Sequence, residues 1–399
     1  MSPQDAEHPN RAELAAGWVP CVPRVMDAFK RAVRTAEGGV FVALAVLVLI
    51  FGLLEPASFA TTDNVRNVIT DASILLILAV AVTFVVITAG IDLSIGSVVA
   101  FSEVVSVKVM ASVAGIGGAA STAGAAGSGG ESGLAAILLG LGAALAAGLA
   151  WGALNGVLIA WIRLPPLIAT LATLSAALGA AQLLSGGTDV ASVPVELVDS
   201  VGIGRLAGVP YLVVVAAFVT ALGAILLAKT RFGRYTYAIG SNAEAARRSG
   251  IKVTGHLFKV YALAGTFYGL AAFLSVARFG TTSIGGHSTD ALDAIAAVAL
   301  GGTSLFGGIG SILGSVFGIF IPSVLENGLV IVGPSAVLAA SRCRHRSRGS
   351  CRLRPGASPL TAPRIGCSEG SKHGELNNSS VDRRGVGVGD AGRRWLWQR

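Results

Sequence analysis

Charge is scarce in this chain. Asp, Glu, Lys and Arg together supply 13% of its 399 residues, against 53% that are hydrophobic, and a soluble domain normally carries about 25% charged residues. That balance excludes an ordinary soluble enzyme or binding domain. Cysteine is nearly absent. Of the four present, Cys343, Cys351 and Cys367 fall near the C-terminus, so there is neither a disulfide framework nor a thiolate metal cluster. His8, His256, His287, His345 and His373 are spread without ligand spacing. Phosphate-binding loops are missing too: no GxxxxGK[ST] occurs, and no Lys follows a Gly anywhere, so ATP cannot be hydrolysed by that route. HExxH, CxxC and calcium loops are equally lacking. The chain is expected to be no enzyme and to hold no cofactor of its own. The net charge of +8 gathers in loops and at the C-terminus, where it reports membrane orientation rather than a nucleic-acid partner.

What remains is a series of apolar runs. Stretches at about 39–55, 67–89, 95–114, 134–162, 166–184, 210–228, 257–277, 291–303 and 309–333 reach or approach the roughly 20 residues that cross a hydrocarbon core of about 30 Å. The alternation expected of a barrel is absent. The fold predicted is all-α: a polytopic helical membrane bundle of about nine to ten transmembrane helices, with the short segment at 291–303 broken or re-entrant. Two spans carry small residues every fourth position, Gly140, Ala144, Gly148, Gly152 and Gly156 in one and Gly310, Gly314 and Gly318 in the other. Such stripes let backbones approach closely, and packing within the chain is the expectation.

Three regions follow. Residues 1–38 form an N-terminal segment, too long and polar for an ordinary signal peptide. In it Val22, Val25, Met26, Phe29 and Val33 oppose Arg24, Lys30, Arg31 and Arg34, the pattern of an amphipathic helix on a membrane surface. Residues 39–333 form the transmembrane domain. Lys30, Arg31 and Arg34 place the N-terminus in the cytoplasm, and the loop with Lys229, Arg231, Arg234, Arg247, Arg248 and Lys252 falls on the same side, as the positive-inside rule demands. Residues 334–399 form a basic tail, with twelve Arg and Lys372 after Ser341. After nine crossings this tail would lie outside, against the same rule. A tenth span replaced through a shifted reading frame would account for it. A disordered cytoplasmic tail after eight crossings and one re-entrant segment is the alternative.

Polar residues at membrane depth are costly and therefore informative. Asp92 in TAGIDLSIGS is placed, with Ser94, to cap a helix starting near Ile95, or to meet the hydroxyls of a polar solute. Glu103 needs a partner or a wet cavity. Lys108, five residues on, is about 140° around the helix and poorly placed to pair with it. Asn155, Asp293 and Asn327 are further polar positions in or beside spans, and Gly301, Gly302, Gly307 and Gly308 flank the short segment. In the loop at 231–253, Asn242 is a fitting N-cap, Glu244 suits the first turn, Arg247 and Arg248 the last, and Gly250 the stop. One short, stiff helix between two spans is predicted there.

GIDLSIGS at 90–97, FGRYTYAIGSNAEAARRSGI at 232–251 and LDAIAAVALGGTSLFGGIGS at 292–311 resemble, in order, three signature regions of the ribose/xylose-type permease subunits of bacterial ABC importers. The resemblance covers about residues 39–333. It implies a permease in the bacterial inner membrane that dimerises, as homodimer or heterodimer, and receives a sugar from a periplasmic or lipid-anchored binding protein. It also implies two cytoplasmic ATPase subunits that hold the ATP and Mg. Glu244, Ala245, Ala246, Arg247 and Gly250 would then belong to the helix coupling the permease to the ATPase. Asp92, Ser94, Glu103, Asn155 and Asp293 are candidates for the translocation path or the helix breaks. Glu103 and Lys108 depart from the family's small or apolar residues, and its last span is absent. A branched-chain amino-acid permease, an ion-coupled transporter using Glu103, and an inactive truncated permease stay open.

Overall fold

The computed structural model describes residues 36–115 and 131–345. The amphipathic helix expected over 22–34 and most of the basic tail lie outside them.

Nine apolar segments return where they were expected: α1 (Ala36–Leu54), α3 (Thr62–Ile87), α4 (Ile95–Val113), α5 (Glu131–Ala160), α6 (Pro166–Ser185), α8 (Tyr211–Lys229), α11 (Val253–Phe279), α12 (Asp290–Leu300) and α13 (Ile312–His345). Between them lie α2 (Pro56–Phe59), α7 (Val195–Leu197), a π turn at Val198–Gly202, α9 (Arg231–Ser241) and α10 (Ala243–Arg248). A two-residue hairpin pairs β1 (Arg205–Leu206) with β2 (Val209–Pro210), Arg205 opposite Pro210. Seven helices, α3, α4, α5, α6, α8, α11 and α13 as far as Gly333, are long and apolar enough to cross a membrane; the apolar part of α1 is shorter, Gly38–Leu54. Gly333, at φ 68° and ψ 161°, interrupts α13.

Burial ranks the helices. In α3 and α11, 78% of the apolar window is covered by the rest of the chain, but in α13 only 22%. So α3 and α11 form the centre, and α13 turns apolar side chains such as Leu329 and Val330 outward.

The glycine stripe of α5 packs within the chain, against a second stripe in α11. A Cβ on Gly148 would come within 2.2 Å of the Gly265 carbonyl oxygen, and one on Gly152 within 2.4 Å of that of Tyr261. Gly269 faces the Ala144 carbonyl in the same way. Backbones this close gain dispersion and Cα–H contacts over the whole length of the crossing. Gly314 and Gly318 repeat the device against Gly301 and Ala297, setting α13 antiparallel to α12.

Two stretches between helices are irregular. Ala89, at φ 60°, begins a non-helical stretch between α3 and α4. The other break runs from Gly280 to Ser311. Its only helix, α12, has 11 residues and spans about 16 Å at 1.5 Å per residue, after which Gly302, Gly307 and Gly308 take positive φ. The two breaks touch where α9 meets α10. Gly308 N–H donates to the Ile87 carbonyl at 2.9 Å. Tyr237 O–H donates to the Gly310 carbonyl at 2.7 Å. A Cβ on Gly240 would fall 1.8 Å from the Ile87 carbonyl oxygen. The chain between Phe279 and Ile312 therefore passes from one end of the bundle to the other in pieces, which favours nine traverses over eight and a re-entrant loop.

Candidate functional site

Asp92 lies in the first break, 2% exposed. Its Oδ1 accepts from the Ser94 N–H at 2.9 Å and the Ser94 hydroxyl at 2.6 Å, and Oδ2 accepts from Tyr268 O–H at 3.1 Å. Asn155 Nδ2 donates to Ser94 Oγ at 2.8 Å, and Thr173 Oγ1 donates to Asn155 Oδ1 at 2.7 Å. Side chains from α5, α6 and α11 thus close on the break. The capping expectation needs correcting. Ser94 is the N-cap residue of α4 but makes no side-chain cap bond, because its hydroxyl is committed to Asp92 and Asn155. The aspartate braces the turn before the helix instead of the helix's own N–H groups.

Glu103 is fully buried and has the partner its position demanded. Oε1 lies 2.8 Å from Nε2 of His287, and Oε2 accepts from the Ser283 N–H at 2.9 Å. His287 Nδ1 lies 2.7 Å from Asp290 Oδ2. Held on both ring nitrogens by these two carboxylates, His287 fastens the 280–289 stretch to α4. Lys108 is exposed and forms no ion pair among the described residues. Asp293 is half-buried in the first turn of α12, where a negative charge suits the helix dipole, and its carboxylate joins none of these networks.

Beside His287 opens a cavity of about 580 Å³. Leu174, Leu178 and Gln182, successive on one face of α6, form one side; Gly96 and Ser97 of α4 form another; Thr188, Asp189 and Ser288 rim it. No Lys or Arg lines it. None of the five predicted path residues lines it either, because Asp92, Ser94, Asn155 and Glu103 spend their polar atoms on internal bonds. The residues sequence reasoning missed are His287, Tyr268 and Thr173. Glu103's unmet need and the HSTD stretch at 287–290 were the available signal for His287.

At the opposite end, α10 forms as predicted. Asn242 Oδ1 accepts from the Ala245 N–H at 2.9 Å. Gly250 N–H donates to Arg247 O and Ile251 N–H to Ala246 O, with Gly250 at φ +85°, the Schellman arrangement that glycine permits. Ala246 is buried with Ile239 and Val253, and Ile251 packs on them. Glu244 pairs with Arg247 at 2.9 Å and Arg248 at 3.3 Å; all three are exposed, so the pairs add little stability. The helix is anchored below by apolar contacts and presents charge above.

Seven helices long enough to cross a membrane, non-helical breaks braced by polar side chains, an open cavity of mixed apolar and polar lining and a capped helix at one end are the parts of a multi-span membrane permease. Residues 64–341 match the family described as branched-chain amino acid transport system / permease component, and the chain belongs to that family. Ribose import permease protein RbsC of Escherichia coli K12 is 38% identical over 298 residues, covering 74% of this chain and 86% of that protein. D-allose transport system permease protein AlsC of the same strain is 34% identical over 295 residues, covering 74% and 84%. Galactose/methyl galactoside import permease protein MglC of Salmonella typhimurium is 33% identical over 307 residues, covering 74% and 87%. No solved structure matches the chain.

Proposed function

We propose that this chain is the transmembrane subunit of an ATP-driven importer that carries a monosaccharide, a pentose or hexose, across the bacterial inner membrane by alternating access. The observation that carries the reading is α10: a short helix, capped at both ends, anchored on α9 and α11 and turned outward with its charges. An importer with no nucleotide loop of its own needs such a rigid contact for separate ATPase subunits, which bind the ATP and Mg. Glu244, Ala245 and Arg247 present that contact on the cytoplasmic side with the N-terminus, while buried Ala246 seats the helix and Gly250 ends it. A sugar-binding protein delivers the solute to the other side, and a second permease copy completes the path. Asp92, Ser94 and Asn155 hold the first break, Glu103 fixes a wall beside the path, and Asp293 stabilises the start of α12.

The family description favours a second reading, a branched-chain amino acid. An amino acid's carboxylate calls for a cationic partner, and the cavity lining holds no Lys or Arg, while both nitrogens of His287 are already engaged. The relatives named for ribose, allose and galactose support the sugar instead.

The experiment is uptake of labelled D-ribose, D-allose, D-galactose and L-leucine into ATP-loaded vesicles carrying this chain with its ATPase and binding protein. Sugar uptake that stops without the ATPase and ignores a proton uncoupler is expected. Uptake abolished by the uncoupler sinks the ATP-driven reading, and uptake of leucine alone sinks the sugar.

A further inference from the structure

We propose that the cavity between the start of α4, α6 and the 284–288 stretch holds the sugar in transit, with Gln182, Thr188, Asp189 and Ser288 meeting its hydroxyls. This rests on the importer reading above and adds to it a place and a set of contacts.

Free polar atoms come first. Asp189 Oδ1 accepts from the Ile284 N–H at 2.9 Å, which fixes the carboxylate and leaves Oδ2 free to accept. The side chains of Gln182, Thr188 and Ser288 have no hydrogen-bond partner among the described residues and are exposed to the cavity. Together they offer one charged acceptor, one amide and two hydroxyls, each hydroxyl able to donate and accept. A polyhydroxylated solute needs that mixture, since every sugar hydroxyl both donates and accepts. In the Asp92 network, by contrast, the carboxylate, amide and hydroxyls are all consumed by one another.

Shape and apolar surface agree. A cavity of about 580 Å³ is within the range of small-molecule sites, roughly 300–1,000 Å³, and admits a monosaccharide with water around it. Leu178 and Leu174, one and two turns before Gln182 on α6, give an apolar face for the C–H side of a sugar ring. The wall opposite is stiff. His287 is held on one ring nitrogen by Glu103 and on the other by Asp290, and a Cβ on Gly96 would come 1.9 Å from the His287 carbonyl oxygen. The same imidazole borders a second cavity of about 370 Å³ lined by Asp71, Asp290 and Glu326, so it separates the two. His287 is a positioning residue here, for neither ring nitrogen is free for the solute.

The test uses the whole importer in vesicles, following labelled D-ribose, D-allose and D-galactose together with ATP hydrolysis. Gln182→Leu and Asp189→Asn are expected to lower uptake of the carried sugar about tenfold, the order of one lost hydrogen bond, with ATP hydrolysis kept within about twofold of the unmodified importer. Ser288→Cys supplies a second readout that does not depend on transport: the carried sugar should slow its modification by a cationic methanethiosulfonate reagent. Unchanged uptake in both variants, or modification of the cysteine that sugar does not slow, overturns the cavity as the site and leaves the importer reading intact. No uptake of any of the three sugars by the unmodified importer overturns the sugar reading and this inference with it.

Discussion

Glu103 Oε1 and His287 Nε2 stand 2.8 Å apart although 184 residues separate them in the chain. Removing the carboxylate takes the partner from His287 Nε2 and the acceptor from the Ser283 N–H, and an unmatched buried polar group costs about 1–3 kcal/mol. Glu103→Ala is therefore expected to lower the thermal unfolding temperature of the purified protein strongly, and Glu103→Gln, which still accepts a hydrogen bond, to do so less.

Tyr268→Phe removes the only donor to Asp92 Oδ2 among the described residues. An unmatched buried acceptor costs about 1–3 kcal/mol, more when it is charged, and the unfolding temperature should drop by a corresponding amount without change in the helical content seen by circular dichroism.

Two glycines of the same helix should behave oppositely. Gly152→Ala drives a methyl group into the Tyr261 carbonyl, and overpacking of this kind costs about 1–3 kcal/mol. Gly142 has nothing within 4 Å of its would-be Cβ, so Gly142→Ala should be neutral or stabilising by up to about 1 kcal/mol. Denaturation of the two variants side by side checks the seam.

The proposed sidedness of α10 has a direct readout. A cysteine at the exposed Ala245 should react with a membrane-impermeant maleimide in inverted vesicles and resist it in intact cells. Asn242→Ala, which removes the N-cap at about 1 kcal/mol, should reduce uptake while the chain still reaches the membrane.

Much of this was legible because the signals are local. Apolar runs gave the spans to within a few residues, and α10 announced both ends through Asn242 and Gly250, whose roles depend on neighbours in sequence. What escaped was long-range. Tyr268 reads as one more aromatic in an apolar run until the fold lays it on Asp92, and His287 looks isolated until Glu103 is brought to it. The second glycine stripe, Gly265 and Gly269, went unread because nothing in α11 alone says which backbone will lie against it. The capping expectation at Ser94 failed for the same reason: Asn155, sixty-one residues away, competes for the hydroxyl.

The meeting of Gly240, Ile87 and Gly308 has a mechanical corollary. With a carbonyl and an amide pressed against a glycine that has no side chain to yield, the junction ahead of α10 would act as a fulcrum under the proposed coupling: a tilt delivered there would be passed to the start of α4 and to the chain leading back through α12. One wall of the cavity hangs from each of those arms, so a single small push would move both together.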